Sequence, residues 1–128
     1  MKKFTMSIIT IILLATPAMS ATSGEIDDFY RANGFDATRY QYRGQEMEFS
    51  GVVFSCGQPL LQFFGDEMWQ IYMNAGEIDV TWNTENEVLS VGQNVTVRGK
   101  FSGLSGYEQR TQRITISLDE DSVTAKEP

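Results

Sequence analysis

The sequence predicts an all-β domain led by one short helix, with five strands closing into a small barrel. Three observations point there. Apolar and polar residues alternate in short runs, turn signals separate those runs, and one stretch of helical spacing stands in front of them. The chain has 128 residues, of which 41% are hydrophobic and 21% charged. That length suits one core.

Residues 1–20 read as a secretory signal peptide. Lys2 and Lys3 give a positive start, Ile8 to Ala15 form an almost unbroken apolar run, and Pro17 precedes small residues at Ala18, Ser20 and Ala21. The run is shorter than the ~20 residues a membrane-spanning helix needs, so a retained anchor is the lesser reading. No cysteine lies near the cleavage region to take a lipid. The expected location is periplasmic or secreted.

Residues 21–44 are expected to hold a helix and a lead-in. Thr22 and Glu25 have capping-box spacing, Ile26, Phe29 and Tyr30 share a helical face, and Asn33-Gly34 is a natural stop. The barrel is expected over residues 45–123, with residues 124–128 as a tail. Its first strand starts at Gln45, where Met47, Phe49, Gly51 and Val53 alternate with Glu46, Glu48 and Ser50; Val52 and Phe54 then make both faces apolar, predicting cover on both sides. Gly51 inside that strand predicts a bulge or a tight barrel corner. After Cys56-Gly57-Gln58-Pro59, the Leu60 to Phe64 patch is either a strand end or a packed loop. Met68 to Met73 and Ile78 to Trp82 read as a hairpin with Asn74 to Glu77 as the connection. In its second arm Ile78, Val80 and Trp82 are expected inside, and Asp79 and Thr81 on a wet face.

Asn83 to Val91 is expected to form a helical turn or two, capped at Asn83 or Thr84 and stopped at Gly92. Val95, Val97 and Gly99 alternate with Thr96, Arg98 and Lys100 in a fourth strand that leads into a flexible Ser102 to Gly106 loop. Ile114, Ile116 and Leu118 mark the fifth strand, which the acids Asp119, Glu120 and Asp121 bring out into water. Five short strands with one helical turn between the third and fourth is the element order of an OB-fold, a partly open Greek-key barrel.

Charge and residue inventory exclude several functions. There are 10 Lys and Arg against 17 Asp and Glu, a formal charge of −7, which becomes −9 when signal cleavage removes Lys2 and Lys3. Such a surface repels phosphate backbones. The chain contains no histidine, which removes Ser-His and Cys-His nucleophilic mechanisms. A carboxylate pair such as Glu46 or Glu48 with Asp79 is the remaining catalytic arrangement, and the expectation is that the protein is not an enzyme. Cys56 is the single cysteine, so cohesion rests on packing; it reads as a small buried apolar residue, with an intermolecular disulfide as the alternative. Neither a cofactor nor a metal is expected, and the run Asp119 to Asp121 lacks the alternating ligands and glycine of a calcium loop.

From about Ile26 to Val123 the chain resembles the tRNA-anticodon-like OB-fold family of small exported bacterial proteins. The marks are Phe29-Tyr30, Asn33, Ala37, Tyr40 and Tyr42-Arg43-Gly44-Gln45, then the strand Met47 to Val53, and later Leu89 to Lys100 and Ile114 to Leu118. The resemblance implies the five-stranded barrel and carries no catalytic set to transfer onto these positions. Unlike lipid-anchored members, this chain has no anchoring cysteine and looks like a soluble representative.

In OB-folds the ligand surface is the outer face of the second and third strands with the adjoining loops. That surface selects Trp69 and Tyr72, Gln58 to Leu61, and Ser102 to Arg113. Trp69 and Tyr72 have opposite strand parity, so a regular strand turns at most one of them outward. Arg98, Lys100, Arg110 and Arg113 face only Glu108, a local excess of three positive charges suited to an anion, with Tyr107 placed to stack on a base or sugar. Packing of the aromatics and pairing of the basic side chains with neighbouring acids weigh against this reading. The expected function is a non-enzymatic module engaging a protein or cell-envelope component. The alternative is an oligosaccharide- or single-stranded nucleic-acid-binding protein.

Overall fold

The computed structural model describes residues 21–57, 68–85, 89–108, 110 and 112–127, with backbone only for residues 105–108. The expected signal peptide, the Gln58 to Leu61 loop and the Leu60 to Phe64 patch lie outside the described residues.

Two helices come first: α1 (Ser23–Asn33) and α2 (Phe35–Tyr42). The expected capping box is present, since Thr22 Oγ1 accepts from the Glu25 N–H and Glu25 Oε1 accepts from the Thr22 N–H. Gly34, at φ 94°, ends α1 where Asn33-Gly34 predicted. The lead-in then differs from expectation, because it folds as α2 rather than running directly into a strand. Thr38 is fully buried and its hydroxyl donates to the Gly34 carbonyl, so a polar residue occupies the inward face of α2.

The strands are β1 (Glu46–Gly57), β2 (Trp69–Ala75), β3 (Ile78–Thr84), β4 (Asn94–Glu108), β5 (Arg113–Leu118) and β6 (Thr124–Lys126). The first five form a closed ring in the order β1-β2-β3-β5-β4, with β4 returning to β1. All pairings are antiparallel except β3 with β5, which run parallel through three pairs, Asp79–Thr115, Val80–Ile116 and Thr81–Ser117. Alternation sends Met47, Phe49, Ile71, Met73, Val80, Val97, Phe101, Ile114 and Ile116 inside, all of them buried. Ile26 of α1 joins this core, and Phe29 packs edge-on against Tyr42, which in turn meets Phe101.

Gly51 explains how one strand serves two partners. Residues Glu46 to Val52 of β1 pair with β4, and Val52 to Gly57 pair with β2, so the strand changes partner at the residue after Gly51. A Cβ on Gly51 would stand 1.7 Å from the Asn74 carbonyl oxygen. The sheet is folded so tightly at this corner that only glycine fits.

Several expectations are corrected here. Asn83 and Thr84 pair with Gln70 and Trp69 as the end of β3; residues 86–88 of the expected helical turn lie outside the described residues, among which there is no helix between β3 and β4, and Gly92 (φ 93°) sits in a simple turn. Ser102 to Gly106 is not a loop but part of the long β4, bulged twice against β5. Thr124 to Lys126, expected in the tail, pair with Thr96 to Arg98. The hairpin between β2 and β3 needs only Gly76 and Glu77 as its turn, with Gly76 at φ 65°, as two-residue hairpins favour. The predicted wet face of β3 is dry, because Asp79 and Thr81 are both buried.

Burial, with a smaller contribution from the Glu25 carboxylate, pushes the Tyr42 hydroxyl above its ordinary value. A raised acid pKa favours the neutral form in the fold, so this stabilisation is complete below the unfolded-state value near 10 and is lost as pH rises beyond it. Alkaline melting curves of the protein and of Tyr42→Phe are expected to converge below pH 9, with the native protein losing stability faster above pH 10. Parallel curves throughout would contradict this.

Candidate functional site

The outer surface of β2, β3 and β5 is built from residues that alternate with the core. Strand register arranges them in rows: Asn74, Asp79 and Thr115 form the first, Tyr72, Thr81 and Ser117 the second, and Gln70 and Asn83 the third. The C-terminal half of β1 borders the first two rows. A bulge between Val53 and Ser55 sets two β1 residues opposite Tyr72 and brings Phe54 against it, with ring centroids 5.9 Å apart. The groove beside this pair has a volume of about 650 Å³ and is lined by Phe54, Ser55, Tyr72, Asn74, Asp79, Arg113 and Thr115.

Val52 and Phe54 are 39% and 43% exposed, which corrects the expectation that both faces of β1 are covered. They add an apolar rim to a sheet face that is otherwise polar.

At the floor of the groove Arg113 is fixed in place. Its Nε and Nη2 lie 3.0 and 2.9 Å from Asp79 Oδ1, and Nη2 also donates to the carbonyl oxygens of Gly76 and Ile78 at 2.8 Å. Asn74 Nδ2 donates to the same Asp79 oxygen at 2.7 Å. One guanidinium therefore neutralises Asp79 and ties the β2–β3 turn to the start of β5. Asp79 is thus committed to Arg113 and Asn74, while Glu46 pairs with Arg98 at 3.7 Å. Of the carboxylates considered from sequence, Glu46 and Asp79 are thus each held by a different arginine.

The sequence-predicted site residues do not form one group. Tyr72 and Arg113 meet in the groove. Trp69 has the opposite parity and packs against the core, which settles which of the two aromatics faces outward. Arg98 and Lys100 lie in the N-terminal half of β4, opposite Glu48 and Glu46 of β1, whereas Arg113 is opposite Glu108 at the far end of the same strand. Ten residues of strand, a contour of about 30 Å at the usual rise, run from Arg98 to Glu108. The basic segment is therefore not one anion site. Arg110 is exposed in the β4–β5 turn and is engaged by other residues, and Tyr107 is a β4 residue paired with Ile114, not the centre of a loop.

Sequence reasoning missed Phe54, Asn74 and Thr115. The signal for Phe54 was available: once Val53 is assigned inward, both its neighbours must point out unless a bulge intervenes.

A second cleft, of about 550 Å³, opens where β3 and β5 part. Thr81, Asn83 and Ser117 line it together with Asp119, Glu120 and Asp121. Asp119 accepts from the Asp121 N–H and caps the 3₁₀ turn Glu120–Ser122. Among the described residues no three Cys, Asp or Glu side chains are arranged to hold a metal ion, and no helix is long and apolar enough to cross a membrane. Cys56, partly buried, packs against the core, and burial pushes its thiol up, which lowers its thiolate fraction and reactivity. No protein-family model matches the chain, and no curated protein matches it.

Proposed function

We propose that the protein is an exported, non-enzymatic binding module of the OB-fold class, and that it engages a protein or cell-envelope partner through the outer face of β2, β3 and β5 and the adjoining half of β1. The OB-fold assignment is supported by the five-stranded ring with its short parallel closure between β3 and β5, the pattern of a partly open barrel. The observation that carries the functional reading is the Phe54–Tyr72 pair. It presents aromatic surface outward beside a groove on a face whose remaining charges, Asp79 and Arg113, already neutralise one another. A sequence without histidine and a committed Asp79 carboxylate support a binding role over catalysis.

Oligosaccharide binding is the second reading, favoured by an aromatic pair flanked by Asn74 and Thr115, since sugar rings stack on aromatic faces and take hydrogen bonds at their edges. Single-stranded nucleic acid is less well supported because the basic residues are dispersed.

The test is capture from envelope extracts by the domain beginning at Ala21, compared with Phe54→Ala and Tyr72→Ala. Both side chains are partly exposed, so the variants are expected to melt within about 1 kcal/mol of the parent while losing the captured component at least tenfold. Equal capture by all three proteins would remove the proposed face.

A further inference from the structure

The groove and the second cleft are two ends of one surface. The groove occupies the row of Asn74, Asp79 and Thr115 and reaches Tyr72; the cleft starts in that same second row, at Thr81 and Ser117, and runs past Asn83 to Asp119, Glu120 and Asp121. A smaller hollow continues the cleft beyond Asn83 and Glu120 to Glu85. No Lys or Arg among the described residues lines the cleft or the hollow. One end of the face is thus aromatic with its ion pair already neutralised, and the other is anionic without a basic neighbour in its lining. From the row of Tyr72 and Thr81 to Asn83 is two residues of β3, about 7 Å at the rise of a strand.

On the reading above, we infer that this face takes an extended basic segment of a partner protein. A large apolar side chain of the segment lies beside Phe54 and Tyr72, and a Lys or Arg about two residues away reaches Glu120 and Asp121. The spacing follows from chain geometry. An extended segment also advances about 3.3 Å per residue, and residues two apart project to the same side, so both anchors face the sheet together. The Gln70 and Asn83 amides and the Ser117 hydroxyl line the cleft beside them. Charge points the same way: the chain from Ala21 onward carries −9, which speeds encounter with a basic partner and opposes a polyphosphate.

The probe is a set of nine-residue serine- and threonine-based peptides, each carrying one phenylalanine and one arginine at separations from one to six, titrated against the domain beginning at Ala21. Affinity is expected to peak at a separation of two and to be lost when glutamate replaces the arginine. Glu120 and Asp121 are exposed, so Glu120→Gln with Asp121→Asn is expected to leave the melting temperature unchanged. That pair of changes is expected to weaken the best peptide about three- to tenfold without changing binding of a peptide bearing phenylalanine alone. Affinity indifferent to peptide charge or spacing overturns the inference, as does saturable binding of neutral oligosaccharides or an oligothymidine by a domain that binds no peptide. If Phe54→Ala and Tyr72→Ala abolish envelope capture but peptide charge has no effect, the inference fails and the binding face stands. If those two variants capture normally, the binding face fails as well.

Discussion

Gly51→Ala is expected to lower the unfolding midpoint by more than about 10 °C, corresponding to a loss of about 3 kcal/mol or more. The reason is local and steric. The new methyl group would stand 1.7 Å from the Asn74 carbonyl oxygen, inside van der Waals contact, and its next neighbours are also backbone atoms of Asn74 and Ala75. No side chain can rotate away to make room, so β1 and β2 must separate where β1 changes partner from β4 to β2. Closure of the ring and the position of Phe54 both depend on that corner, so Gly51→Ala is also expected to impair binding. Thermal denaturation followed by circular dichroism checks the first effect. A variant melting within 2 °C of the parent would show that the corner can relax.

Arg113→Met is expected to cost about 2–4 kcal/mol, below the upper range for a fully buried pair because the Arg113 side chain is 26% exposed and that of Asp79 12%. The loss has two parts. Asp79 keeps its charge on a buried face with only Asn74 to answer it, and the Gly76 and Ile78 carbonyls each lose a donor. Lysine is expected to rescue little of this, since one ammonium cannot reproduce the planar fork that serves Asp79 and two carbonyls together. Urea titration of Arg113→Met, Asp79→Asn and the double variant provides the check. The double variant is expected to be less destabilised than the sum of the two single ones by about 1–2 kcal/mol. Strict additivity would mean that the pair is not coupled.

The parts of the fold legible in the sequence are those in which local pattern and tertiary environment agree. The Thr22–Glu25 cap, the stop at Gly34, the alternation of β1 and β5 and the need for glycine at position 51 each follow from one residue's own chemistry. The misses occur where tertiary structure overrides pattern. Helix α2 buries Thr38 while Phe35 and Tyr40 are exposed, which inverts the hydropathy expected of an amphipathic helix. Ser102 to Gly106 has a loop's composition, yet pairing with β5 makes it strand. Asp79 and Thr81 were assigned to water from their polarity, but Arg113 lies 34 positions away from Asp79, and Thr81 donates to the Ile71 carbonyl; neither partner follows from local spacing.

The candidate site was half legible for the same reason. Tyr72 and Arg113 came from the generic ligand face of a five-stranded barrel, and the structure joins them. The basic cluster was a sequence cluster only, because a long strand spreads neighbours in the chain over about 30 Å. Apolar residues at both parities predict cover on both faces of β1; the described structure leaves the outward pair, Val52 and Phe54, partly exposed. On the proposed reading, the residue that carries binding is an apolar one the core does not need.

Photo-crosslinking tests the proposed face most directly. The photoreactive residue p-benzoylphenylalanine is placed singly at Phe54, at Tyr72 and at Tyr40, the last lying on α2 and 79% exposed. Irradiation with envelope extract is predicted to yield one common adduct from positions 54 and 72 and none from position 40. An adduct from position 40 alone would contradict the assignment and move the interaction to the helices.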